Sequence, residues 1–220
     1  MLPIARRPFT VIVCALALAG CTSDPGENST DKVPAVQLGA PGESNRALSE
    51  DELDRLSSPA YTDADVAFVQ GMIHHHRQAL EMTAMVADRT QNVDMTQLTE
   101  RMDVSQTDEI AQLENWLKDR REDVPEAGAH PHGSGHAALM PGMLTDDELD
   151  QLKQSRGATF DTLFLQYMIR HHEGAVLMVE QLLTEGFGGQ ESQVFQLAQH
   201  MDSDQRVEIS RMKSLLSQVD

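Results

Sequence analysis

The chain of 220 residues has two cysteines, Cys14 and Cys21, and both stand within its first 21 positions. Everything beyond residue 21 therefore has no disulfide and no thiolate ligand, so a metal there must be held by His, Met, Asp or Glu. Aromatic residues make up 4% of the chain, which leaves Leu, Met, Val and Ala to fill a core. Positive charge is scarce: 17 Lys and Arg stand against 35 Asp and Glu, a formal net charge of −18. Such a surface repels nucleic acid and anionic lipid and favours cations, although solubility outside the cell would select the same balance. Three metal signatures are also missing. No Glu-x-x-His occurs, so ferritin-type iron is disfavoured. No His-Glu-x-x-His occurs, which argues against a zincin. No Cys-x-x-Cys-His occurs, which excludes covalent c-type haem.

The one long apolar run lies at the start. Arg6 and Arg7 precede an apolar stretch from Phe9 to Ala19, followed by Leu18-Ala19-Gly20-Cys21. A basic start, a short apolar core and a small-residue ending describe an export signal, too short for a stable membrane span. The ending resembles a bacterial lipobox. That resemblance implies lipid on Cys21 and a protein anchored to the outer face of the cell membrane or in the periplasm. Removing residues 1 to 20 takes away two arginines and no acid, so the charge moves from −18 to −20. Residues 21 to 46 are rich in Ser, Gly, Pro, Asp and Asn without apolar periodicity and read as a flexible tether. The folded domain is expected over 47–217, within the limits of one compact core.

What the domain does contain is an internal repeat. "LSEDELDRL" at 48–56 returns as "LTDDELDQL" at 144–152, and "DVAFVQGMIHHHRQALEM" at 65–82 returns as "DTLFLQYMIRHHEGAVLM" at 161–178, both 96 positions on. "LTERMDVSQTDEIAQL" at 98–113 returns 99 positions on as "LAQHMDSDQRVEISRM" at 197–212. The repeat divides the domain into unit one (47–120), a connector (121–143) and unit two (144–217).

Each unit reads as one short and two long helices. Ser49 with Glu52 and Thr145 with Glu148 have capping-box spacing before the short ones. Apolar residues at helical spacing place the long helices at 63–88, 94–119, 159–185 (ended by Gly186) and 192–217, and no alternating β pattern competes. Two helical hairpins, each burying one face, predict an all-α four-helix bundle built from duplicated units.

The two copies agree on particular polar residues. His75 and His76 match His171 and His172, and their neighbours Met72 and Met82 match Met168 and Met178. His74 is matched by Arg170, so the doublet, not the triplet, is the shared element. Met72 with His75 and His76 forms an i, i+3, i+4 cluster on one helix face. The second long helices repeat Met102, Gln106 and Glu109 as Met201, Gln205 and Glu208. These polar groups either orient imidazoles or form an interhelical network, and Met82 and Met178 read equally as core. A core burying so many polar groups without a ligand is costly. Thioether plus imidazole donors without thiolate suit copper. The connector adds His130, His132, His136, Met140 and Met143 among Gly and Pro, either a polar linker or a metal-capture loop.

The paired M-I-x-H-H-x-x-A-x-x-M segments, Asp65 and Asp161 upstream, "MPGM" at 140–143 and the later Q-x-x-E-I resemble the domain of unknown function 305 family, over roughly residues 46 to 217. That resemblance implies a ferritin-like helical bundle, often exported, with some members associated with copper binding and resistance. It carries His75, His76, His171, His172 and their methionine partners as the functional set.

The leading expectation is an exported, lipid-anchored protein that binds copper for sequestration or handover to a metal-exchange partner. No nucleophile–base pair or cofactor loop argues for turnover. Two alternatives stand beside it: a redox centre using another transition metal or haem b held between His and Met, and a structural or partner-binding lipoprotein without metal. With an ordinary pKa near 6.5, clustered histidines would lose cupric ion between about pH 7 and 5.

Overall fold

The computed structural model describes residues 35–55, 59–126, 140–185 and 188–219. The signal segment with Cys14 and Cys21, the tether up to residue 34, His130, His132, His136 and Gly186 lie outside the described residues. Two compact units divide after Arg55.

In the first unit, β1 (Val36–Gln37) pairs antiparallel with β2 (Arg46–Ala47) and precedes α1 (Glu50–Arg55). The tether reading had no structure here. What it passed over is Pro41-Gly42: Glu43 N–H donates to the Ala40 carbonyl at 2.8 Å, and Gly42 has φ +99°, the positive value that a type II turn demands of its third residue. Arg46 then bonds both Gln37 and Glu52. The Ser49–Glu52 box opens α1, with the Glu52 amide donating to Ser49 Oγ at 3.3 Å.

The second unit contains α2 (Asp63–Thr83), α3 (Val93–Arg120), α4 (Asp146–Gln154), α5 (Gly157–Thr184) and α6 (Ser192–Leu216). Capping boxes open α2 (Thr62 with Asp65) and α4 (Thr145 with Glu148), and Asn92 caps α3. Each satisfies amides that have no partner within the helix. The boundaries agree with the periodicity except at the end of α2, which stops five residues short of 88. There the Thr83 hydroxyl donates to an Asp103 carboxylate oxygen on α3, the Leu80 carbonyl receives the Ala84 amide, and the chain continues as a 3₁₀ turn at Val86–Asp88. Among the described residues no helix is long and apolar enough to cross a membrane.

α2 packs along α3, α5 along α6, and α2 against α5, with α3 also meeting α6. The core consists of two apolar clusters. One holds Met82, Met95, Met102, Phe160, Phe164, Met168 and Met212; the other holds Phe68, Met72, Ile73, Leu113, Trp116, Val194 and Met201. Each fully buried side chain of this size contributes about 1.5–3 kcal/mol. Along α2 and α6 the second cluster comes first; along α3 and α5 the order is reversed, so the helices that pack together run antiparallel. On each long helix a pair of buried polar residues falls between the two clusters: His75 and His76, Gln106 and Glu109, His171 and His172, Gln205 and Glu208. The molecule therefore has a polar layer at mid-bundle.

Candidate metal centre

All eight layer residues are buried. His76 Nε2 lies 2.7 Å from Glu109 Oε2, and His172 Nε2 lies 2.6 Å from Glu208 Oε2. A carboxylate accepts, so each Nε2 carries its proton toward the glutamate and Nδ1 is the remaining ring nitrogen. Neither Nδ1 has a partner. His75 donates from Nε2 to the Pro141 carbonyl at 2.9 Å, and its Nδ1 is also unpartnered. His171 leaves Nε2 unpartnered, and the side-chain oxygens of Gln106 and Gln205 are orphaned with them.

The doublets meet across α2 and α5: the rings of His75 and His171 lie 3.8 Å apart between centroids. Burial holds the His75 pKa down at about 3, with His76 adding to the depression and the Pro141 hydrogen bond opposing it. Burial also holds His171 well below 6.5, reinforced by His75, His172 and His76. Both rings are thus neutral and hold their lone pairs for an electrophile. Among the described residues no three His, Cys, Asp or Glu side chains converge as a metal-binding group; His75 with His171 is the close pair.

A short segment covers the pair. Met140 to Met143 forms a turn in which Met143 N–H donates to the Met140 carbonyl at 3.2 Å, with Pro141 second and Gly142 third at φ +78°. Gln78 ties the following residue at both ends: its amide donates to the Leu144 carbonyl at 3.0 Å, and its carbonyl accepts the Leu144 N–H at 2.8 Å. The turn rests on Gly174 so closely that a Cβ there would meet the Pro141 oxygen. Gln78 and Gly174 were not singled out from the sequence, and Pro141 entered only as part of the "MPGM" motif. The available signal was the place where the copies disagree, since Gln78 stands opposite Gly174.

The remaining candidates are distributed as follows. Met72, Met82, Met102, Met168 and Met201 are fully buried in the apolar clusters, Met143 is buried, and Met140 and Met178 are half-buried. Asp65 accepts from Thr62 N–H at 2.8 Å and from Gly189 N–H, closing the cap of α2 about 15 Å along the helix from His75. Asp161 is buried with Oδ1 unpartnered. His74 is half-buried. A groove of about 230 Å³ lined by Asp108, Glu109, His200, Met201 and Asp204 reaches Glu109 from the α3 and α6 side. Burial, with Glu109 and Glu208 nearby, raises the Asp204 pKa.

Fold and site define a class: an all-α bundle of two helical hairpins around a buried imidazole–carboxylate layer. The chain belongs to the family described as Domain of unknown function (DUF305), whose sequence pattern matches residues 65–216. A DUF305 protein from Streptomyces coelicolor, assigned as secreted, is 30% identical over 70% of this chain and 93% of its own, with a TM-score of 0.60. A DUF305 fragment from Deinococcus radiodurans is 31% identical over 73% of this chain and 99% of its own, with a TM-score of 0.63. CopM in its Cu(II)-bound form is 26% identical over 70% of this chain and 96% of its own, with a TM-score of 0.56. No functionally curated protein sequence matches the chain.

Proposed function

We propose that this protein binds copper as cargo in its mid-bundle histidine layer, for sequestration or handover outside the cytoplasm, while anchored by lipid on Cys21. The observation that carries the reading is the set of orphaned ring nitrogens: Nδ1 of His75, His76 and His172, and Nε2 of His171. A buried acceptor left unsatisfied costs about 1–3 kcal/mol, and three of these nitrogens, those of His75, His76 and His172, are fixed as acceptors by the hydrogen bonds on the other side of their rings, which favours something electrophilic binding there. Cuprous ion suits the arrangement because d¹⁰ Cu(I) accepts two or three soft or imidazole ligands, and His75 with His171 already supplies two. Glu109 and Glu208 hold His76 and His172 in one tautomer and raise their basicity. The copper-bound form of CopM supports the same cargo. The repeated sequence segments, together with the matching His76–Glu109 and His172–Glu208 bonds, support an origin by duplication of one hairpin unit.

The test is metal uptake by the full chain, followed by mass spectrometry under non-denaturing conditions with cuprous and cupric ions. The double variant His75→Ala/His171→Ala should lose the cuprous adduct while keeping its helical circular dichroism. Equal uptake by parent and variant contradicts the reading, as would a layer filled only by water.

A further inference from the structure

We infer that Met140 and Met178 form a two-thioether docking site for a soft monovalent cation at the outer edge of the histidine layer; this rests on the copper reading above. The geometry centres on Gly71 in α2. A Cβ built there would lie 3.3 Å from Met140 Sδ and 3.4 Å from Met178 Cε, so both thioether ends converge over one glycine. Glycine inside a helix is unfavourable relative to alanine, and the corresponding position of the second hairpin holds Tyr167. The gap above α2 is thus specific to this side of the bundle, and the Met140 sulfur occupies it.

Position relative to the histidines gives the pair its use. Gly71 precedes His75 by four residues, so the thioethers stand about one helical turn from that imidazole, on the same face. Met140 is joined directly to Pro141, whose carbonyl accepts from His75. Met178 lies two turns beyond His171 on α5, and methionine side chains on helices lean back toward the N-terminus, here toward the layer. Both are half-buried, whereas Met72, Met82 and Met168 are fully buried among apolar side chains. Thioethers bind cuprous and silver ions without proton competition. A cation captured between Met140 and Met178 stands next to the imidazole pair.

Silver(I) is the probe, titrated into the full chain labelled at its methionine methyl carbons and followed by NMR. The Met140 and Met178 methyls should shift at the first equivalent, ahead of the other methionines. Met140→Leu/Met178→Leu, which preserves volume, should weaken silver binding by about tenfold or more while the fold is kept. Gly71→Ala should weaken binding several-fold by crowding the Met140 sulfur; a packing role alone predicts no change in silver affinity. If silver shifts the histidine signals but leaves these two methyls in place, or moves only Met72, Met82 or Met168, the thioether pair is wrong and the copper reading stands. If nothing shifts, both fail.

Discussion

His76 and His172 each commit one ring nitrogen to a glutamate, and this defines what the other nitrogen presents. Glu109→Gln keeps the shape of the contact but removes the negative charge that polarises the ring. Copper affinity should fall about 10–100-fold, read by competition with a chromogenic chelator; unchanged affinity would mean that Glu109 serves packing only. His75 and His171 carry a pH prediction for the metal-free protein. With the folded His75 pKa at about 3 and the unfolded value near 6.5, protons bind the unfolded chain first. Stability should therefore be constant above about pH 6.5 and decline as pH falls toward 3, by up to about 1.4 kcal/mol per pH unit for each such histidine. Urea unfolding across that range measures the slope, and a His75→Leu variant should flatten it. None of this depression was legible in the sequence, because desolvation depends on what three other helices place around the ring.

At the scale of elements, the segment Met140–Met143 fits between α2 and α5 because Gly174 has no side chain. Gly174→Ala would drive a methyl into the Pro141 carbonyl, a backbone clash that no rotamer relieves. The cost should be about 1–3 kcal/mol or more in urea unfolding, together with loss of the His75–Pro141 hydrogen bond. A variant as stable as the parent would show that the segment is free to move aside. Helix boundaries were largely readable, since Thr145-x-x-Glu148 and the apolar spacing mark real ends. The differences are local: α2 passes into a 3₁₀ turn at Val86–Asp88 where Thr83 reaches across to Asp103, and Pro41-Gly42 closes a turn that composition alone described as tether. The "MPGM" residues were legible as a motif, but their packing against His75 was not, because a connector has no periodicity to indicate which face it covers.

In the whole second unit, two apolar clusters sandwich one polar layer, and this order was implicit in the sequence. Comparison of the two segments singled out His75, His76, His171 and His172, and on each long helix the shared polar residues lie between blocks of apolar ones. It could not decide that His75 meets His171 while His76 and His172 turn to glutamates within their own hairpins, because side-chain direction is set by packing across the bundle. Nor could it separate Met140 and Met178 from the methionines that fill the core. The central claim is that the orphaned ring nitrogens of this layer take up the cargo. Its most direct measurement is ¹⁵N NMR of the histidine ring nitrogens during anaerobic titration with cuprous ion, which is diamagnetic. The account predicts that Nδ1 of His75, His76 or His172, or Nε2 of His171, shifts as one ion binds, while Nε2 of His76 and His172 stays protonated toward Glu109 and Glu208. Ring nitrogens of the layer that remain unmoved while only His130, His132, His136 or His200 respond would contradict it.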